Sequence, residues 1–381
     1  MTDNRDSSAE DRAAKRSSLA GLVMLWFLLT GLACALWAML VSDRVALKPA
    51  ATLSWQQVFE GEVTQRIARE LAKVPFAEHA ADLERAASWL LLGDTGSRVR
   101  QGCPGWLFLG DELKVHAQAA VDAQARAQKV IRLQAQLADR GIELLLVVVP
   151  DKSRIASDQL CQLERAGQLT GRVQRWRDAV QAAGVQVLDL TPVLQPLGSA
   201  VFLRTDTHWS ELGADAAAQA VSRRIAELGV EATPRKQYTT EMAEPQARPG
   251  DLVRLAGLDW LPAQLQPAVE MVSTTRLREV PAAGAAEALA EEDLFGDSQL
   301  PNIAVIGTSF SRNSNFIAFL ERALGSSVGN FAKDGGEFSG AAKDYFDSPA
   351  FKQTPPRLLV WEIPERDLQS PYRDERLLDA R

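Results

Sequence analysis

Ile142–Val149 reads IELLLVVV and runs straight into Pro150-Asp151-Lys152-Ser153; the fold turns on this stretch. A strand with one wet face alternates apolar and polar side chains. This one does not alternate, as expected of a strand covered on both faces in a parallel sheet. Before it, Asp111–Arg140 carries apolar residues at helical spacing and stops at Gly141. The same helix-then-strand unit recurs along the chain. Val173–Ala183 predicts a helix stopped by Gly184, with Val185–Leu190 as the next strand, and Leu212–Leu228 predicts a further helix. Asn302–Ile306 predicts a strand, Gly307 a turn, and Arg312–Leu324 a helix; Val328–Phe331 and Arg357–Trp361 complete the strands. Such alternation implies an α/β domain of three layers around a mainly parallel sheet.

The flanks differ. Trp55–Val74 and Glu78–Leu92 are amphipathic, with Pro75 as a breaker, and Gly102–Gly105 is a turn leading into a short strand at Trp106–Leu109. From about 233 to 300 the periodicity weakens and Pro, Ala and Glu accumulate around a Gly250-Asp251-Leu252 turn, which predicts an insertion between two core strands.

The 381 residues are 46% hydrophobic and 24% charged, a globular composition. Lys plus Arg number 42 against 49 Asp plus Glu, a net charge of −7 with no dense basic stripe, which excludes a nucleic-acid partner. The three cysteines, Cys34, Cys103 and Cys161, lack zinc-site spacing. His79, His116 and His208 are scattered, without a metalloprotease pattern, and no phosphate- or dinucleotide-binding glycine motif occurs. Neither a metal nor a soluble cofactor is expected.

Leu19–Val41 is an uncharged run of 23 residues. At about 1.5 Å per residue it spans a hydrocarbon core of about 30 Å, and it exceeds the usual signal-peptide core. A retained anchor is the expectation, although Ala33-Cys34-Ala35 resembles a cleavage site. Arg12, Lys15 and Arg16 precede the run, which places the N-terminus in the cytoplasm. The expected layout is a cytoplasmic tail (1–18), a transmembrane anchor (19–41), a helical connecting region (42–98) and a globular domain (99–381). In a Gram-negative cell that domain lies in the periplasm, where disulfides persist. Cys103 and Cys161 are then either a bridge or two buried thiols.

Open parallel sheets carry their sites at the carboxyl ends of their strands. Two loops there are rich in reactive groups: Arg204-Thr205-Asp206-Thr207-His208-Trp209-Ser210 and Gly307-Thr308-Ser309-Phe310-Ser311. A serine on a strand-to-helix turn exposes its hydroxyl, but it needs a base to become a nucleophile. His208 is the available base, and Asp206 two residues earlier is placed to orient it. Taken singly, Ser309 and Asp206 would read as helix caps and His208 as a core histidine. Trp209 either stacks on a sugar ring or packs in the core.

These segments resemble the SGNH hydrolase-like domain of the alginate O-acetyltransferase family, whose members are of AlgJ and AlgX type. Gly105-Trp106-Leu107-Phe108, Val149-Pro150-Asp151-Lys152, Asp206-Thr207-His208-Trp209, Gly307–Ser311 and Trp361-Glu362-Ile363-Pro364-Glu365-Arg366 fall in the family's order. The resemblance implies a three-layer α/β/α, flavodoxin-like domain, permuted so that Asp and His precede Ser. It also implies Ser309 as nucleophile, His208 as base and Asp206 as orienting acid, with oxyanion donors at Ser309 and in the Gly335-Gly336 turn. Only 15 residues follow Arg366, so the additional carbohydrate-binding module of the AlgX type is not expected and the AlgJ type is nearer.

The function so implied is acetyl transfer, through a serine acetyl-enzyme, to hydroxyls of an exopolysaccharide such as alginate. It would take place at the periplasmic face of the inner membrane, with a multipass membrane O-acyltransferase supplying acetyl groups and other export proteins nearby. Two alternatives stay open: a carbohydrate acetylesterase using the same residues, and a non-catalytic scaffold of an export complex.

Overall fold

The computed structural model describes residues 18–41, 55–280 and 300–371. The expected N-terminal tail lies outside these residues except at Ser18, as do parts of the connecting region and the insertion. The chain divides into two compact units, 1–88 and 89–381.

In the first unit, α1 (Ser18–Val41) is apolar around its whole circumference. Among the described residues it is the one helix long and apolar enough to cross a membrane, and it fits a single-pass anchor. Three helices follow: α2 (Trp55–Phe59), α3 (Glu62–Leu71) and α4 (Pro75–Leu92), the last running past the boundary between the units. The expected first helix is thus two, because Gly61 adopts the left-handed region at φ 78° and interrupts it. Pro75 begins α4; at the first helical position its missing N–H is no loss.

The second unit opens with an antiparallel pair, β1 (Val99–Gln101) and β2 (Leu107–Leu109). Then come α5 (Ala119–Asp139), β3 (Glu143–Val149), α6 (Lys152–Ile155), α7 (Arg172–Gln181), β4 (Gln186–Asp189), α8 (Thr191–Leu194) and α9 (Glu211–Glu227). An excursion follows that returns to neither layer: β5 (Gln237–Met242), β6 (Gln246–Arg248), α10 (Asp251–Leu255), β7 (Glu270–Val272) and β8 (Thr275–Val280). The chain re-enters the core as β9 (Ile303–Ile306), α11 (Ser309–Arg312), α12 (Phe316–Leu324), β10 (Gly329–Asn330), α13 (Gly340–Asp347), α14 (Pro349–Gln353) and β11 (Leu358–Pro364).

Five strands make one parallel sheet in the order β10-β9-β11-β3-β4. The last strand in sequence, β11, is central: it pairs along its full length with β3, from Leu358↔Glu143 to Pro364↔Val149, and with β9 on its other side. The unbroken hydrophobicity of β3 now has its cause. Leu144, Leu146 and Val148 pack into one core with α5, α7, α13 and α14, whereas Leu145, Val147 and Val149 pack into a second with α9 and α12. Each of these side chains contributes roughly 1.5–3 kcal/mol when buried, so both faces of the strand must be apolar.

The expected helix over Arg312–Leu324 is two helices. Ser314 and Asn315 take left-handed φ values of 52° and 58°, which ends α11 after one turn and starts α12 at a new angle. The insertion holds two antiparallel ribbons, β5–β8 and β6–β7, that its weak periodicity did not reveal. Their side chains are mostly exposed, so no apolar alternation marks them.

Candidate active site

Ser309 is the first residue of α11, on the turn that leaves β9. A side chain at Gly307 would meet the Glu362 carboxylate and its backbone, so only glycine lets the turn sit this low on the sheet. Thr308 caps α11 by accepting from the Phe310 N–H. Its own N–H and hydroxyl donate to Glu362 at 2.7 and 3.0 Å, and the Ser311 hydroxyl donates to the same carboxylate at 3.0 Å. Glu362 stands fully buried on β11 beneath the turn. Burial pushes its carboxyl up to about 6, against the opposing pull of those donors.

From α11, the Ser309 hydroxyl donates to His208 Nε2 at 2.7 Å. His208 Nδ1 lies 2.6 Å from Asp206 Oδ1, which also accepts the His208 backbone N–H at 3.0 Å. With Nδ1 carrying its proton toward Asp206, Nε2 keeps the lone pair that faces Ser309. Burial alone would raise the Asp206 carboxyl; the hydrogen bonds and charge of His208, helped by Arg248, hold it well below the usual carboxylate range. The structure therefore brings Ser309, His208 and Asp206 into one hydrogen-bonded chain at the carboxyl edge of the sheet.

Several residues around this chain were not singled out from the sequence. Lys152, fully buried in α6, donates from Nζ to the carbonyls of Leu107, Arg204 and Asp206 at 2.7, 2.8 and 3.0 Å. Burial draws its ammonium down to about 8, while Glu112 and Asp206 act the other way. Asn313 donates to Ser309 O at 2.9 Å, and its Nδ2 lies 3.5 Å from His208 Nε2. The insertion grips the Asp206–His208 loop from outside. Asp251 accepts from the Thr207 N–H at 2.7 Å and from its hydroxyl, and Glu270 accepts from the N–H groups of Arg204 and Thr205 at 2.7 and 3.2 Å. Arg248 reaches Asp206 Oδ2 at 3.6 Å and Asn313 Oδ1 at 3.4 Å. The Gly250-Asp251 turn was visible in the sequence, and Lys152 and Glu362 sit in quoted motifs, but nothing local reveals their partners.

Asp206, His208 and Asp251 offer ligand atoms within 4.8 Å of one another, a set able to take a cation. Their arrangement already has another account, since the 2.6 Å approach of Nδ1 to Asp206 is a charge-assisted hydrogen bond. Burial and the neighbouring Asp206 raise the Asp251 carboxyl above its ordinary value.

Two expectations are corrected. Trp209 is fully buried, its ring 5.1 Å from that of Phe310 and 5.0 Å from that of Phe316, so it packs the core beneath the site and cannot stack on a sugar. Of the two glycines expected as oxyanion donors it is Gly336 that is corrected, since its N–H donates to Lys333 O at 3.2 Å and closes a turn in which Gly335 lies exposed at φ 63°. His79 is exposed, and His116 precedes α5 in a loop and is partly buried. Cys103 and Cys161 form a disulfide, which ties the turn before β2 to the segment after α6. Below it, Asp151 and Glu365, at the ends of β3 and β11, are enclosed by Arg154, Arg165 and Arg172. Carboxylates this deeply buried persist only when paired.

A serine on a strand-to-helix turn, hydrogen-bonded to a histidine and through it to an aspartate above a five-stranded parallel sheet, defines an SGNH hydrolase-like domain. The chain belongs to the family described as SGNH hydrolase-like domain, acetyltransferase AlgX, which matches residues 99–365. It is 34% identical over 299 residues to the probable alginate O-acetylase AlgJ of Pseudomonas aeruginosa, covering 77% of this chain and 76% of that one. With the alginate biosynthesis protein AlgX of Pseudomonas putida it shares 29% identity over 68% of this chain and 54% of the other. The solved O-acetyltransferase domain of Pseudomonas putida AlgJ is similar with a TM-score of 0.62 at 29% identity, over 72% of this chain and 92% of that domain.

Proposed function

We propose that this protein is a membrane-anchored O-acetyltransferase that moves an acetyl group through Ser309 onto hydroxyls of an exopolysaccharide of the alginate type. The observation that carries the reading is the 2.7 Å and 2.6 Å hydrogen-bond chain from Ser309 through His208 to Asp206, in a domain related to proteins named alginate O-acetylase.

In this reading Ser309 Oγ attacks the acetyl carbonyl of the donor while His208 Nε2 takes its proton. Asp206 keeps the ring in the required tautomer and stabilises the imidazolium. The Ser309 N–H, at the start of α11 with no intrahelical acceptor, faces the developing oxyanion. His208 returns its proton to the leaving group, and an acetyl ester of Ser309 remains. A saccharide hydroxyl then gives its proton to His208, attacks the ester carbonyl and leaves acetylated, which regenerates the serine. The same groups perform both halves, and water in place of the saccharide would give an esterase.

The basic residues before α1 favour a cytoplasmic N-terminus and a periplasmic catalytic domain. The Cys103–Cys161 disulfide suits that oxidising compartment. Acetyl groups would arrive across the membrane from a multipass O-acyltransferase, in company with other polysaccharide export proteins. Ser309→Ala should leave the fold intact and lower acetylation of the polymer by at least about a thousandfold, as in serine hydrolases stripped of their nucleophile. Polymer acetylated to the native level by that variant would refute the assignment.

A further inference from the structure

Arg248 closes β6 in the insertion, yet it stands at the mouth of the site rather than out on the ribbon. Its side chain is 30% exposed. One nitrogen, Nη2, makes both long approaches, to Asp206 Oδ2 at 3.6 Å and to Asn313 Oδ1 at 3.4 Å. Among the described residues, Nε and Nη1 have no acceptor. Neighbouring arginines are spoken for: Arg204 lies against Glu270 and Arg312 against Asp334. Asp206, moreover, spends Oδ1 on His208 and is an incomplete partner for a guanidinium.

The place of this cation matters as much as its open donors. Asn313 bridges Arg248 on one side and the His208 Nε2 edge on the other, so the guanidinium lies one side-chain width from the atoms that would react. Three acids, Asp206, Asp251 and Glu270, also stand here, beside His208, the buried Lys152 and the paired Arg204. A polyanion would be turned away by such a rim unless a cation received it. A planar guanidinium with two free donor positions matches a carboxylate in a way that an ammonium does not. Trp209, being buried, offers no face here to a neutral sugar.

We propose that Arg248 is a specificity-determining residue that binds a carboxylate of a uronate-containing acceptor and so sets a ring hydroxyl before Ser309 and His208. This rests on the transferase reading above and deepens it.

The test uses the full-length chain in detergent, as wild type, Arg248→Ala and Arg248→Lys. A burst with p-nitrophenyl acetate reports acetylation of Ser309 without any acceptor. Transfer is then measured to an oligouronate and to the same oligomer with its carboxyls reduced to alcohols. Because Arg248 also touches Asp206, the quantity read is the ratio of kcat/KM for the two acceptors within each variant, in which any common loss cancels. Arg248→Ala should lower that ratio about tenfold, mainly through KM of the oligouronate, as expected for one lost charge-assisted contact, with Arg248→Lys between. An unchanged ratio across the three proteins overturns the inference while leaving the transferase reading in place. A native chain that shows the burst but acetylates neither acceptor overturns the transferase reading, and this inference with it.

Discussion

Glu362 illustrates how much a single buried side chain decides in this protein. It gathers the N–H and hydroxyl of Thr308 and the hydroxyl of Ser311, residues 51 and 54 positions away in sequence, and so fixes the turn that presents Ser309. Its carboxyl titrates near 6 in the fold against an ordinary 4.5, so ionisation is disfavoured by folding. The associated stability is complete below about pH 4.5 and is lost as pH rises through about 6, roughly 2 kcal/mol in all. Glu362→Gln should therefore remove that segment of the stability profile, measured by urea unfolding at a series of pH values between 4 and 7. A variant with the native slope would show that some other group titrates there. At this scale the sequence was uneven. Ser309, His208 and Asp206 were legible because their types are chemically suggestive and each sits just past a strand or at a helix start. Glu362, Asp251 and Arg248 were not, because what gives them meaning is a partner reached only through the tertiary fold.

Among the elements, α6 is one short turn, but its Lys152 ties β2, at Leu107, to the loop that carries Arg204 and Asp206. Lys152→Met would leave the carbonyls of Leu107 and Asp206 without this donor, while Arg204 O would keep the Leu107 N–H at 2.9 Å. At roughly 1–3 kcal/mol for each of the two orphaned groups the loss should be about 2 kcal/mol or more, seen as a lower urea midpoint. The loop carrying Asp206 should loosen first, so activity should fall at temperatures where the rest of the chain is still folded. An unaltered midpoint would show that water satisfies those carbonyls. The core strands were readable because burial on two faces leaves an unmistakable apolar run. The ribbons of the insertion bury little on either face and leave no such trace. The break between α11 and α12 was hidden for a different reason: Ser314 and Asn315 are not obliged to turn left-handed, and only the docked helices on either side make them do so.

For the molecule as a whole, the disulfide spans a sequence separation of 58 residues and braces the hairpin over which the Asp206 loop is draped. Constraining the unfolded chain over that length is worth about 4 kcal/mol on a loop-entropy account. A Cys103→Ser, Cys161→Ser double variant should lose stability of that order in denaturant titrations. Native protein made in a reducing compartment should match it, whereas equal stability of all three would make the bridge incidental. The strand completed last, β11, is not an edge but the keel, flanked by β3 and β9 and carrying the glutamate under the nucleophile. A polypeptide interrupted before that point has a gap through its middle rather than a frayed margin. Synthesis must run through β11 before anything reactive exists, so copies cut short before it stay chemically silent.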